Sequence, residues 1–276
     1  MKKVVKFGGS SLANAEQFQK VGDIIRSDES RRYVVPSAPG KRFDEDIKVT
    51  DMLYGCYDAA SKGEDITEKI NAIKARYYEI IKGLGLSLSL EEEFKKIDED
   101  FRAQAGIQYA ASRGEFLNGK IMAAYLGYDF VDAASVIRFD KAGNLEAEET
   151  NKLLSKKLSK SQHAVIPGFY GACADGTVKT FSRGGSDVTG SLVAKAIHAD
   201  IYENWTDVSG FLVTDPRIVH NPEPIEAITY RELRELSYMG ATVLHEDAIF
   251  PVRKEGIPIN IRNTNSPEDK GTLIVE

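Results

Sequence analysis

The chain opens MKKVVKFGGSSLANAEQF (residues 1–18). A charged, β-rich run, Lys3–Phe7, breaks into Gly8, Gly9, Ser10 and Ser11. Helical spacing follows, with Ala15, Phe18, Val21, Ile24 and Ile25 recurring between Asn14 and Ile25. A strand handing over to a helix through two glycines, with Lys6 at the strand's end, suits a polyphosphate. Helix N-termini expose unpaired N–H groups, and glycine lets an anion approach the backbone. The GxxxxGK[ST] and GxGxxG spacings are absent. The plain alternative is a strand-to-helix turn in which Gly9 supplies a positive φ.

Further β-rich runs lie at Tyr33–Pro36, Ala164–Pro167, Ile201–Trp205, Phe211–Val213, Ile257–Ile261 and Thr272–Val275. Several are continuously apolar, as strands buried on both faces are. Residues 50–127 read almost entirely as helix, with a break at Gly83–Ser89, and form an insertion covering one lobe. Gly171–Phe181, centred on Asp175-Gly176, reads as a β-hairpin. Strands alternating with helices predict a mostly parallel sheet covered on both faces.

The 276 residues are 42% hydrophobic, enough for one large core or two lobes, and the net charge is −6 with no basic stripe, which argues against a nucleic-acid partner. Cys56 and Cys173 are far apart and the four histidines form no HExxH, so neither disulfide nor protein-built metal site is expected. A charged strand at the start and no long apolar run exclude a signal peptide and a membrane span, leaving a cytoplasmic protein. Asn204-Trp205-Thr206 matches a glycosylation sequon by chance.

Three further stretches carry polar chemistry. FSRGGSD (181–187) again follows a strand and opens a helix, through Ala199. Two such glycine turns can face each other at the carboxyl ends of parallel strands. Arg183 supplies a fork for carboxylate or phosphate; Asp187 alone could be an ordinary first-turn acid. WTDVSG (205–210) and TDPR (214–217) could hold a nucleotide, or be routine turn chemistry with a solvated Arg217. SRGEF (112–116) puts a glycine inside a helical block, where it costs about 1 kcal/mol. Either Glu115 is being brought close to a ligand, or the segment is a surface ion pair at a helix junction.

Taken together, KFGGSS, SAPGKR (37–42), SRGEFL, GFYG (168–171), SRGGSD, WTDVSGFLVTDPR and GATVLHEDAI (240–249) resemble aspartokinases of the amino-acid kinase superfamily, in order and spacing, from Lys2 to about Val275. The resemblance implies a three-layer αβα sandwich with a mostly parallel central sheet (the amino-acid kinase, or carbamate kinase-like, fold). It implies one amino-acid kinase domain over 1–276: an amino-acid-binding lobe over about 1–200, with the helical insertion 50–127, and a nucleotide-binding lobe over about 201–276. It implies ATP- and Mg²⁺-dependent phosphorylation of the side-chain carboxylate of L-aspartate, giving 4-phospho-L-aspartate. That reaction opens the route to lysine, threonine and methionine.

By the same resemblance Lys6 neutralises the transferring phosphoryl group, Asp187 organises Lys6, and Gly8, Gly9 and Ser10 lie beside the nucleotide. Ser37, Thr50, Phe169 and Ser186 line the aspartate pocket. Glu115 holds the substrate ammonium and Arg183 its α-carboxylate. Thr206, Asp207 and Arg217 contact the nucleotide, and no protein metal ligand is assigned. Two positions depart from the family: Thr242 replaces a phosphate-contacting lysine, and Leu212 a tyrosine near the nucleotide. A kinase of another carboxylate, such as N-acetylglutamate, is the alternative enzyme, and a nucleotide- or amino-acid-sensing module the alternative outside catalysis. The resemblance allows a homodimer and no membrane partner. The chain stops at what resembles the kinase domain's last strand, without the ACT domains that usually follow, so inhibition by lysine or threonine is not expected.

Overall fold

Val4, Val5 and Phe7 have no exposed surface, and successive side chains point to opposite faces, so Lys3–Phe7 (β1) must be covered on both sides. The computed structural model describes residues 1–182, 184–214, 218–220, 222–238, 244 and 246–276. After β1 the strands are β2 (Arg31–Pro36), β3 (Asp129–Phe130), β4 (Arg138–Phe139), β5 (Ala164–Val165), β6 (Tyr170–Cys173), β7 (Val178–Thr180), β8 (Ile201–Thr206), β9 (Ala227–Thr229), β10 (Ile259–Asn263) and β11 (Thr272–Val275). The helices are α1 (Ala15–Arg26), α2 (Val49–Ser61), α3 (Thr67–Gly83), α4 (Glu91–Arg102), α5 (Ile107–Leu126), α6 (Ala147–Leu158), α7 (Gly185–Ala196), α8 (Tyr230–Tyr238) and α9 (Glu246–Lys254).

Eight strands form one sheet in the order β3-β5-β2-β1-β8-β10-β11-β9, parallel throughout except for the β10–β11 pair. Val4, Val35, Tyr202 and Ile259 face one core with Leu154 of α6, Val193 of α7 and Val252 of α9. Val5, Phe7, Val34 and Trp205 face a second core with Phe18 of α1, Leu53 of α2, Tyr77 of α3, Phe101 of α4 and Ile121 of α5. The alternation along β1, β2 and β8 thus sorts side chains into two cores, and the molecule has the three layers expected. No helix among the described residues is long and apolar enough to cross a membrane.

Three sequence expectations change. Phe211–Val213 is not a strand: Phe211 is buried, Leu212 and Val213 are exposed, and among the described residues the segment forms one isolated bridge, Leu212 to Pro224. The hairpin at Asp175-Gly176 exists as β6–β7, with Gly176 at φ 89°, but belongs to a separate three-stranded sheet, β4-β6-β7. The helical block breaks three times rather than once. The extra breaks carry Gly63 (φ 74°) and Gly106 (φ 105°), left-handed positions that glycine adopts without strain.

Candidate functional site

Strand order reverses at β1, because the chain runs from β1 to β2 on one side and reaches β8 later on the other. The carboxyl ends beside such a switch point form a crevice. Three loops are tied there. The Gly8 N–H donates to Trp205 O at 3.0 Å, and the Ser37 N–H to Phe7 O at 3.1 Å.

Gly9 answers the question of the paired glycines differently from a turn requirement. Its φ is −64°, open to any residue, so positive φ is not its role. What it permits is contact. A Cβ on Gly9 would lie 2.9 Å from Ala38 O, and one on Gly40 would lie 2.6 Å from the Gly9 carbonyl carbon. The KFGGSS and SAPGKR turns therefore touch backbone to backbone, joined by Gly40 N–H to Gly9 O at 2.8 Å. KFGGSS first enters a short helical turn, Ser10–Leu12; α1 begins later, capped by Asn14, whose Oδ1 accepts from the Gln17 N–H at 2.9 Å.

Lys6 shares a sheet face with Val4 and points toward α7. It is 9% exposed, and its Nζ lies 2.7 Å from Asp187 Oδ1 in the first turn of α7. Asn204 bridges the pair: its Oδ1 accepts from Lys6 at 3.4 Å and its Nδ2 donates to Asp187 Oδ1 at 2.9 Å. Sequence reasoning missed Asn204, reading it only as a chance sequon. At 3% exposure it is closed to glycosylation in the folded chain. The signal was its register, two residues from Tyr202 on a strand beside Lys6.

Gly114 explains the odd glycine of SRGE. Helix α5 runs unbroken through it, and residues 110–115 are buried, so neither a junction nor a surface ion pair exists. A Cβ there would lie 2.8 Å from Ala38 Cβ and 3.4 Å from Leu53 Cδ1, so glycine lets α5 seat against α2 and the SAPGKR loop. Glu115 lands beside the Ala38 N–H, which donates to it. Burial pushes the Glu115 carboxyl up to about 8, against the Ala38 amide, its own amide and Arg113, which favour the charge. Glu115 Oε2 is buried with no hydrogen-bond partner among the described residues. A buried carboxylate oxygen left over is an invitation to a cation. Gly114→Ala is expected to destabilise the fold by about 1–3 kcal/mol through overpacking, measured by urea unfolding.

Gly9, Ser10, Ser37, Thr50, Glu115 and Asp207, six residues chosen from sequence, line one cavity of about 430 Å³. Ala38, Pro39, Gly40, Lys41 and Lys48 complete its wall, so two lysines not assigned from sequence bring charge to it. Phe169 and Ser186 meet at the start of α7 instead. A Cβ on Gly168 would fall 2.4 Å from Ser186 Oγ, and one on Gly185 2.5 Å from Phe169 Cδ2. Phe169 sits at φ 79°, strained for an aromatic residue. Bonds from its N–H to Thr189 Oγ1 (3.1 Å) and from the Phe181 N–H to its carbonyl (2.9 Å) hold it there. Thr206 Oγ1 donates to Asp207 Oδ1 at 3.2 Å. Leu212 is 37% exposed and bridges Pro224. Arg183, Arg217 and Thr242 lie outside the described residues.

Residues 1–263 match a family described as the "Amino acid kinase family". Over 289 residues the chain is 40% identical to aspartokinase 3 of Bacillus subtilis, covering 99% of this chain and 63% of that one. The solved aspartate kinase of Clostridium acetobutylicum is 52% identical, with a TM-score of 0.95 over 100% of this chain and 62% of its own. Escherichia coli aspartokinase III, solved with aspartate and ADP, is 28% identical with a TM-score of 0.85, covering 100% of this chain and 65% of its own. The chain spans less than two thirds of the length of each.

Proposed function

The chain belongs to the amino acid kinase family, and on that footing we propose that it transfers the terminal phosphoryl group of ATP to the side-chain carboxylate of L-aspartate. The observation that carries the reading is Glu115: a buried carboxylate with a spare oxygen, in the wall of a cavity shared with the Gly9–Gly40 turns. A free amino acid brings an ammonium that needs such a partner; an N-acetylated one does not. The aspartokinases this chain resembles support the same substrate.

In this reading a carboxylate oxygen of aspartate attacks the γ-phosphorus, a P–O bond forms, the bond to ADP breaks, and no proton moves. A carboxylate is already nucleophilic at neutral pH, so the protein's task is position and charge. Lys6, steered by Asp187 and Asn204, meets the negative charge gathering on the transferred oxygens. Gly8, Gly9 and Ser10 bring backbone to the phosphates. Ser37, Thr50, Phe169 and Ser186 shape the aspartate side, Arg183 takes the α-carboxylate, and Thr206, Asp207 and Arg217 serve the nucleotide. The strands before residue 200 and after it occupy opposite halves of the sheet, which supports an amino-acid lobe over about 1–200 and a nucleotide lobe over about 201–276.

Among the described residues no three metal-binding side chains cluster. Mg²⁺ arriving with ATP would therefore keep mostly phosphate and water oxygens, with Asp187 and Asp207 the acids at hand. The test is ADP release with Mg·ATP against aspartate, glutamate and N-acetylglutamate. Release dependent on aspartate is expected; folded protein that ignores aspartate, or prefers N-acetylglutamate, sinks the reading.

A further inference from the structure

We infer that Arg76 is a positioning residue, which holds the two touching glycine turns of the cavity in register from helix α3, with Asp46 as its counter-ion. The inference rests on reading that cavity as a phosphoryl-transfer site. Arg76 is 5% exposed and is not part of the cavity wall. Its Nη2 donates to Gly40 O at 3.0 Å and reaches Ala13 O at 3.5 Å. Its Nη1 donates to Asp46 Oδ2 at 2.6 Å.

Gly40 is thus gripped twice, by Arg76 at its carbonyl and by Gly9 at its N–H. Ala13 closes the segment that Gly9 begins, so one guanidinium spans the KFGGSS turn and the SAPGKR loop. Asp46 closes that loop on itself. It accepts from the Arg42 N–H at 2.9 Å, from Arg42 Nε at 2.8 Å and from the Ile47 N–H. Arg42 continues outward to Glu79 Oε2 at 2.9 Å. The arginine and backbone donors hold the Asp46 carboxyl well below the usual carboxylate range, so the counter-ion stays charged at any working pH. Only a planar fork can meet acceptors on two loops and a carboxylate together; a lysine ammonium cannot hold that geometry.

The consequence is functional because the gripped backbone carries the chemistry. Gly9 and Ser10 face the phosphate side, and the Ala38 N–H braces Glu115 on the aspartate side. A shift of about 1 Å in such groups lowers catalysis by up to about 100-fold. A merely structural arginine would lower stability and leave the surviving folded enzyme unchanged.

The experiment compares wild type with Arg76→Lys, Asp46→Asn and Glu79→Gln, each held well below its own melting temperature. Amide exchange is followed in residues 8–13 and 37–48, alongside kcat and KM for ATP and aspartate. Expected for Arg76→Lys and Asp46→Asn are roughly tenfold faster exchange in both segments, as local opening becomes easier, and kcat/KM for ATP lower by about tenfold or more. Glu79→Gln, on the outer end of the network, should match wild type in both. Unchanged exchange in Arg76→Lys and Asp46→Asn overturns the clamp, and faster exchange with wild-type kinetics overturns its role in catalysis. Should Arg76→Lys fail to fold, Asp46→Asn decides alone. A wild-type protein without aspartate-dependent ADP release defeats the kinase reading instead, and the exchange comparison still judges the clamp.

Discussion

Lys6→Ala is expected to lower kcat by about 10²- to 10³-fold, with aspartate KM moving by less than about threefold, because the lost charge acts mainly on the transition state. The geometry argues for this split. Lys6 is buried, held at 2.7 Å by Asp187 and braced by Asn204, so its ammonium is oriented before substrate arrives. Preorganised charge of this kind acts where charge develops and needs no reorganisation during the step. Aspartate's ammonium, by contrast, is assigned to Glu115 on α5. Removing Lys6 also leaves Asp187 with Asn204 as its remaining side-chain partner among the described residues, so the variant's fold is checked by thermal unfolding before kinetics. A Lys6→Ala enzyme that unfolds normally and keeps kcat within about threefold of wild type refutes the assignment.

Glu115→Gln, assayed at pH 8.5, is expected to raise aspartate KM by about 100-fold or more, the scale of losing one partner of a buried ion pair. The pH is part of the prediction. Burial holds the carboxyl proton up to about 8 in the free protein, whereas an ammonium neighbour demands the charged form. Aspartate binding therefore expels a proton. Below pH 8 the logarithm of kcat/KM for aspartate should fall with decreasing pH, approaching one unit per pH unit, and Glu115→Gln should flatten that limb. The same proton affects folding without substrate. The folded chain holds it up to about 8 and an unfolded glutamate releases it near 4.5, so this group's contribution to stability is full below 4.5 and is lost as pH rises through 8. The Glu115→Gln protein should lack that decline in a Tm-against-pH series, and aspartate should relieve it in wild type. A pH-independent aspartate KM between 6.5 and 8.5 would contradict the role given to Glu115.

Local information sufficed for most elements and pointed to the glycine turns and to Glu115, while the family resemblance supplied the remaining site assignments. Short β-rich runs marked β1, β2 and β8 as strands of a mostly parallel sheet. Glycines placed where a strand ends marked KFGGSS and SRGGSD, and a glycine misplaced within a helix marked Glu115. These signals depend on neighbours a few residues away, within reach of any reading of the chain. Residues whose partners are distant in sequence were invisible unless the family resemblance named them, as it named Lys6 with Asp187. Asn204 matters because β8 lies beside β1, 198 residues away along the chain from Lys6. Arg76 matters because α3 packs behind loops 36 and 63 residues earlier. The plain alternative for Gly9, a positive φ, is also ruled out, since its φ is ordinary and its lack of a side chain admits the backbone of Ala38 and Gly40 against it. Composition and spacing prescribe which backbone conformations are cheap; which backbones touch is settled only when the sheet order closes, because contact between segments far apart in the chain is a property of packing and not of propensity.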